Sequence, residues 1–237
     1  MSSPTAYGVG LQRARGVRCA LVGIVVALLV SAPALAASTF TFSGDRTSIV
    51  FAAGRERTLL VGNARIVSDD TEIEAQEIEI YGDDFRFAVA RGAVRVIDRE
   101  QDIVLTADRL LYDRIERITR AEGNAVMEDR RNETVVKGAL LENRGRENLT
   151  IIQVGVRILG EDLTTRSEFA RYRRDQNILE LSGLPVVFWR GDEYRASRIV
   201  IDIDRDEITL QGAVRGTITT SDEDSDGTSS GAGAADE

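Results

Sequence analysis

A glycine recurs through this chain at a nearly constant interval, and each time it opens a short apolar run. The glycines are Gly62, Gly92, Gly123, Gly155, Gly183 and Gly212, with steps of 30, 31, 32, 28 and 29 residues. Self-similarity at such a period is typical of a stack of supersecondary units that share one core. We therefore predict tandem units of about 30 residues, in which each glycine marks a bend or bulge rather than a ligand site.

Within each unit, apolar and polar residues alternate, as in Ile199-Val200-Ile201-Asp202-Ile203-Asp204. This period of two predicts strands with one apolar and one solvated face, which suits an antiparallel sheet. Charged or glycine-containing turns separate the runs, and no stretch has a long helical period. The sequence therefore predicts an all-β protein, either a sandwich, a barrel or a solenoid.

The ends of the chain differ from this array in composition. Arginines precede the apolar stretch Cys19–Val30, and small residues surround Ala36. This pattern predicts a secretory signal over residues 1–36, with an uncleaved membrane anchor as the alternative, and therefore an exported, periplasmic protein. Residues 219–237 contain six acids and no base, which predicts a disordered acidic tail. The array domain is assigned to residues 39–218.

Composition excludes several classes of function. The chain has no histidine, and its single cysteine, Cys19, lies in the predicted signal. Histidine-dependent catalysis, thiolate nucleophiles and histidine or cysteine metal sites are therefore excluded from the exported part. The formal net charge of −9 argues against nonspecific nucleic-acid binding, which requires a basic surface. We expect no cofactor and no bound metal.

Acidic clusters are abundant but fit no loop for calcium. Asp202, Asp204 and Asp206 have the spacing of one strand face, with Arg205 beside them. The order of ligands in an EF-hand is absent, so a solvated face is the better interpretation. A carbohydrate-active or calcium-dependent protein is kept only as a third hypothesis, since sequence alone does not show a cleft with paired acids.

The repeated pattern of a glycine strand, a charged turn and a second strand resembles the OstA-like family, which includes the periplasmic lipopolysaccharide-transport proteins LptA and LptC and the N-terminal domain of LptD. The segments Gly62–Ile66, Gly92–Val96 and Gly123–Met127 carry the resemblance, together with Ala75–Tyr81 and Ala107–Tyr112. The likeness covers about residues 45–218. The later units depart from it, because Gly155 is followed by Val-Arg and Gly183 by Leu-Pro.

The resemblance implies an open β-jellyroll, a folded-over antiparallel sheet whose apolar interior holds acyl chains. It implies a non-enzymatic bridge or shuttle that carries lipopolysaccharide or a related amphiphile from the inner to the outer membrane. The implied partners are that lipid, other OstA-like proteins, and further copies joined edge to edge. The alternative is a structural or adaptor array with a filled interior that assembles through its edge strands.

Alternation within each unit predicts which apolar side chains line the interior. The predicted lining residues are Ile66, Ile78, Ile80, Val94, Val96, Leu110, Tyr112, Met127, Ile151, Ile158, Phe169, Leu179, Leu181, Ile199, Ile201, Ile208 and Leu210. A shift of one residue in the phase of a strand would exchange the two faces.

Overall fold

The computed structural model describes residues 40–68 and 70–219. The predicted signal over residues 1–36 and all of the predicted acidic tail except Thr219 lie outside the described residues. Within them, sixteen strands form one sheet in which every pairing is antiparallel. The predicted all-β class and the open, folded-over antiparallel sheet are confirmed.

The strands follow one another as a meander, so most neighbours along the chain are also neighbours in the sheet. The first eight are β1 (Thr41–Ser43), β2 (Arg46–Val50), β3 (Arg57–Val67), β4 (Thr71–Tyr81), β5 (Phe87–Asp98), β6 (Ile103–Asp113), β7 (Ile118–Asp129) and β8 (Thr134–Arg144). The remaining strands are β9 (Leu149–Leu159), β10 (Leu163–Arg173), β11 (Ile178–Ser182), β12 (Val186–Trp189), β13 (Asp192–Arg195), β14 (Arg198–Asp202), β15 (Glu207–Gln211) and β16 (Arg215–Thr217). Single 3-10 turns at Asp83–Phe85 and Gly145–Glu147 join β4 to β5 and β8 to β9.

A line of bulges divides the sheet into two halves. Strands β3 to β10 are long enough to cross this line. The shorter strands end at it, so the two strands of each consecutive pair lie in different halves; these pairs are β1 and β2, β11 and β12, β13 and β14, and β15 and β16. We call the half that contains β1, β12, β13 and β16 half-sheet A, and the half that contains β2, β11, β14 and β15 half-sheet B. Buried residues from both halves form a single hydrophobic cluster, so the two halves fold towards each other around one core.

Backbone geometry at the bulges explains why glycine recurs there. At Gly123 and Asn124 two consecutive residues have positive φ, of 74° and 47°, and together they oppose the single residue Ala139 of β8. Such a pair is a bulge that bends the strand. A Cβ on Gly123 would lie 2.8 Å from the Cβ of Asp108, so glycine is also required by close packing.

One bulge has the reverse order of residues. In β9 the pair with positive φ is Val154 (63°) and Gly155 (66°), and it opposes Glu168 of β10. Val154 therefore occupies the position that glycine holds in the other bulges, and the glycine comes one residue later. The spacing between equivalent positions becomes 30, 31, 31, 29 and 29 residues when Val154 replaces Gly155 in the series.

Candidate functional site

The interior of the folded sheet is lined by rows of side chains that run across the strands. In half-sheet B, one row crosses eleven strands through residues that are directly opposite each other in register. Its members are Leu60, Ile78, Ala90, Leu110, Ala121, Leu141, Ile152, Ala170, Leu181, Ile199 and Leu210. Each of these eleven members is apolar, so the row forms a continuous hydrophobic band from β3 to β15; on the edge strand β2 the next position in register is the polar Thr47.

Half-sheet A contributes a matching row on its interior face. The row begins at the edge with Phe42 and ends at Tyr194. Between them lie Ile66, Ile73, Val96, Leu105, Met127, Val136, Ile158, Thr165 and Val187. Thr165 is the single hydroxyl within this stretch, and it is fully buried.

The middle of the interior is tightly filled. Leu60, Met127, Val136, Leu141 and Ile152 have no exposed surface. Side chains buried to this degree pack at the density of an ordinary protein core. In this conformation the two half-sheets therefore fill the centre with their own side chains.

The two ends of the interior are less covered. At the first edge, Phe42 of β1 and Ile49 of β2 lie in interior rows but are 42% and 40% exposed. At the second edge, Ile208 and Leu210 of β15 are half-buried against the core. Among the described residues, β2 pairs only with β3 and β15 only with β14, so each of these strands has one unpaired side.

Most residues of the predicted lining lie in this interior. Eleven belong to the buried core, namely Ile78, Ile80, Val94, Val96, Leu110, Met127, Ile158, Leu179, Leu181, Ile199 and Ile201. Ile66, Ile208 and Leu210 are partly buried and pack against the core, and Tyr112 is buried beside it. Contact of these residues with lipid stays a prediction.

Ile151 and Phe169 are placed differently from the rest. Both are half-buried and lie outside the core cluster, whereas their neighbours Ile152 and Ala170 have no exposed surface and face the interior. Ile151 pairs in register with Arg171, and Phe169 with Ser182, on the outer face. In these two segments the inward-facing residue is therefore the one that follows the predicted residue.

Several interior residues were not predicted from the sequence. They include Leu60, Leu105, Val136, Leu141, Ile152, Leu163 and Val187. In pairs such as Leu140-Leu141 and Ile151-Ile152, both residues are apolar, so alternation does not identify the inner member. Pairing with the neighbouring strand identifies the inner member, because Leu141 and Ile152 directly oppose each other in register.

One rim of half-sheet B is polar although it is buried. Thr119, Asn143, Thr150 and Tyr172 form adjacent members of one interior row and are at most 2% exposed. The Thr150 hydroxyl donates to Asn143 Oδ1 at 3.4 Å, and the Tyr172 hydroxyl donates to Asn177 Oδ1. Burial, reinforced by the charge of Asp204, raises the pKa of Tyr172 to about 12, so its phenol stays neutral at physiological pH. This rim offers neutral hydrogen-bonding groups beside an apolar band.

The outer face carries ion pairs between neighbouring strands. Glu142 is almost buried and accepts hydrogen bonds from Arg120 Nε at 2.8 Å and from Arg144 Nε at 2.6 Å. Burial raises the pKa of Glu142, but the two arginines outweigh it, and the net pKa lies below the usual value. Glu72 is held in the same way by Arg65 and Arg99, and the hydrogen bond from Arg65 is the largest cause of its lowered pKa.

The acids considered as calcium ligands are engaged in other contacts. Asp202 Oδ1 accepts from the Arg205 backbone N–H at 3.1 Å, Asp204 Oδ1 accepts from Asn177 Nδ2 at 2.7 Å, and Asp206 Oδ1 accepts from Arg190 Nη2 at 3.2 Å. Within residues 40–68 and 70–219, no three histidine, cysteine, aspartate or glutamate side chains are grouped to hold a metal ion. The same residues contain no helix of the length and apolarity that a membrane span requires.

Comparison with known proteins gives little further constraint. No family model matches the chain, and no curated protein matches it. Among solved structures, the chain is similar to the crystal structure of LptH, the LptA-homologous periplasmic component of the lipopolysaccharide transport device from Pseudomonas aeruginosa. The match has 10% identity and a TM-score of 0.25, and it covers 77% of this chain and 96% of LptH. Similarity at that level supports no inference, so the fold described above rests on the strand pairing of this chain.

Proposed function

We propose that this protein is a non-enzymatic periplasmic carrier that binds the acyl chains of lipopolysaccharide or a related amphiphile inside its folded sheet. The proposal depends mainly on one observation, the apolar row that runs through half-sheet B from Leu60 to Leu210 without a polar interruption. A bridge between the inner and outer membranes needs such a continuous apolar path, because an acyl chain that leaves it would be exposed to water.

Burial of apolar surface supplies the driving force for this binding. Each methylene group that leaves water contributes about 0.8 kcal/mol, so a chain of a dozen carbons gains on the order of 10 kcal/mol before entropic costs. The centre of the interior is already filled, so lipid would enter from the exposed ends near Phe42 and Leu210 and separate the half-sheets as it advances. The polar rim near Tyr172 would then accept hydrogen-bonding groups of the lipid without adding charge to the interior.

The unpaired edges would extend the path beyond one molecule. Strand addition between β15 of one copy and β2 of the next would bring the interior faces of two copies together, with Thr47 and Ile49 of β2 at the junction, and would satisfy free backbone groups on both. Other OstA-like proteins with compatible edges are the expected neighbours at the ends of such a bridge. This arrangement would make use of edges that otherwise favour aggregation.

A second candidate function is a structural or adaptor array that assembles through its edges and binds no lipid. The filled centre of the interior favours it, since Leu60, Met127 and Val136 have no exposed surface. In this case the core would stay closed, and assembly would be independent of amphiphiles.

Photo-crosslinking from one interior position and one outer position separates the two functions. A photoreactive residue at Leu210 lies in the interior row near the open end, whereas the adjacent Thr209 is exposed on the outer face of the same strand. The carrier predicts an adduct with lipopolysaccharide or another amphiphile from position 210 that is several times stronger than from position 209. Equal or absent adducts at both positions would contradict lipid binding and leave the structural array.

A further inference from the structure

The outer face of half-sheet A carries a row of cations on neighbouring strands, which we call the cation row. Its members are Lys137 on β8, Arg157 on β9, Arg166 on β10, Arg195 on β13 and Arg215 on β16, with Val186 of β12 between Arg166 and Arg195. All five cations are exposed. The row occurs in a protein with a net charge of −9, so its charge is opposite to that of the whole chain.

Like charges that are directly opposite each other in a sheet repel. Lys137 opposes Arg157, and Arg157 opposes Arg166; in the same way, Arg195 opposes Arg215. Elsewhere on the outer face, acids accompany the arginines. Arg91 also opposes Arg109, but Glu77 pairs with Arg91 at 2.7 Å and Glu122 pairs with Arg109 at 3.1 Å. On the first strands of the same row, Glu74 lies between Arg65 and Arg95, at 4.0 and 3.6 Å.

Most of the cation row lacks acidic partners. Among the described residues, no carboxylate forms an ion pair with Lys137, Arg157, Arg166 or Arg215, and Arg195 pairs only with Glu193 of its own strand. The nearby Glu168 instead accepts a hydrogen bond from the Gly155 backbone N–H at 3.3 Å. The row therefore has the charge and the free donors to bind an extended anionic ligand.

The chain itself contains a segment of that chemistry, and it leaves the sheet beside the row. β16 contains Arg215, the last base of the sequence, and ends at Thr217. The Thr219 backbone N–H donates to Asp192 Oδ1 at 2.9 Å, which fixes the exit point at the start of β13, three residues before Arg195 and four residues beyond Arg215. The acids Asp222, Glu223, Asp224 and Asp226 follow within a few residues.

The segment is long enough to reach most of the cation row. Arg157 lies four strand steps from β16, or about 19 Å across the sheet, and Thr219 lies four residues, or about 13 Å, along the strand from Arg215, so the direct distance is about 23 Å. Residues 220–226, when extended, span about 23–25 Å at 3.3–3.6 Å per residue. The acids can therefore reach the row as far as Arg157, and their attachment to β16 gives them a high effective concentration there.

We propose that the cation row is the docking site for the chain's own acidic C-terminal segment, Asp222–Asp226. Ion pairs with the segment offset the repulsion between opposed cations and cover this basic surface. This inference is independent of the proposed function, because it concerns the outer face and requires no lipid.

The mobility of a fluorescent label on the segment tests the docking directly. The full chain with Cys19→Ser and Ser225→Cys carries a single thiol, to which the label is attached. Docking restricts the local motion of the label, so we expect a high fluorescence anisotropy at low salt. The anisotropy should fall markedly in 1 M salt, at which the Debye length falls to about 3 Å.

Two double variants with the same loss of charge show whether the row is the docking site. Arg157→Gln with Arg166→Gln should lower the anisotropy of the label as strongly as salt does. Arg46→Gln with Arg55→Gln, which are exposed near the opposite edge, should leave it unchanged. Circular dichroism would confirm that both variants stay folded.

Two results would overturn the proposal. A high anisotropy that survives Arg157→Gln with Arg166→Gln would show that the segment docks elsewhere and would leave the row for an external anionic partner. An anisotropy that falls as the protein is diluted would assign the occupant to the segment of a second copy.

Discussion

Thr165 is a hydroxyl in an interior row where its neighbours in register, Ile158 and Val187, are apolar. It is fully buried, and its Oγ1 has no hydrogen-bond partner among the described residues. Burial of a hydroxyl without a partner costs about 1–3 kcal/mol. We predict that Thr165→Val, which has nearly the same shape, raises the free energy of unfolding by about 1 kcal/mol, measured by urea denaturation with Trp189 fluorescence.

Thr134 provides the matched control for this prediction. It is equally buried, but its Oγ1 donates to the Asn132 carbonyl at 3.0 Å. Thr134→Val should therefore lower the free energy of unfolding by about 1 kcal/mol. Destabilisation by both substitutions would show that Thr165 has a partner in solution.

The ion pairs of Glu142 predict a dependence of stability on pH. Because the folded protein lowers the pKa of Glu142, its charged form contributes stability above the usual glutamate pKa, and that contribution is lost as the pH falls through the lower folded pKa. Glu142→Gln should lower the free energy of unfolding by about 1–3 kcal/mol at pH 7. The difference from the parent protein should shrink below about pH 4.

The exposed pair of Glu122 and Arg109 is the reference for that measurement. Their side chains are 34% and 42% exposed, and they lie 3.1 Å apart. Exposed pairs contribute about 0–1 kcal/mol, so Glu122→Gln should have a small effect at either pH. If Glu142→Gln lowered the free energy of unfolding equally at pH 3 and pH 7, the ionised Glu142 would not be the source of that stability.

At the scale of the strand, the bulges control how the sheet folds over. In a strand with the positive-φ pair, every second residue faces the interior on both sides of the bend, as Ala90 and Val94 do, four residues apart. In the partner strand the phase shifts by one residue, so the inward-facing residues Ala75 and Ile78 are three residues apart. The residue opposite a bulge, such as Gln76 or Glu168, is exposed. Each long strand therefore presents apolar residues to the interior on both sides of the bend.

At the Val154-Gly155 bulge, substitution should increase the stability of the protein. A β-branched residue with positive φ is strained by about 1–2 kcal/mol, and Val154 is 60% exposed, so it gains little from burial. Val154→Gly with Gly155→Asn recreates the order of Gly62-Asn63 and Gly123-Asn124. We predict that this double substitution raises the free energy of unfolding by on the order of 1 kcal/mol.

The converse change should destabilise the protein at a bulge that already has glycine first. In Gly123→Ala the new Cβ would combine positive φ with a contact to the Asp108 Cβ at 2.8 Å. A loss of at least about 1 kcal/mol is expected. If the double substitution in β9 also destabilised, the two bulges would not be equivalent.

The strands themselves were predictable from the sequence, and their faces were predictable only in part. Alternation such as Ile78-Glu79-Ile80 identifies both the strand and its inner side, because a polar residue separates the two apolar ones. At Ile151-Ile152 both residues are apolar, and at Ser167–Ala170 the bulge shifts the phase so that Ala170 faces the interior in place of Phe169. Such shifts depend on the partner strand, which local periodicity does not describe. The cation row was missed for the same reason, since its members are far apart in sequence and adjacent only through register.

At the scale of the whole molecule, the sheet is long, folded and open at two edges. The exposed apolar residues near the first edge include Phe42, Ile49 and Phe51, and those near the second include Val214 and Ile218. Exposed apolar edges are unusual for a monomer, because they template pairing with another chain. Assembly through these edges would extend the interior rows, which connects the shape of one molecule to the proposed bridge.

A charge placed in the interior row at the edge tests this assembly. Ile49 of β2 faces the interior, and an inward-pointing lysine there would have to be buried against β15 of the next copy. We predict that the full chain sediments faster as its concentration rises and that Ile49→Lys shifts this association to at least tenfold higher concentration. Ser48→Lys adds the same charge to the outer face of the same strand, so it should change the association much less. If both lysine variants weakened association equally, general charge would control it. If the parent stayed monomeric at all concentrations, the edges would not join copies of this chain, and the bridge would require a different partner at each end.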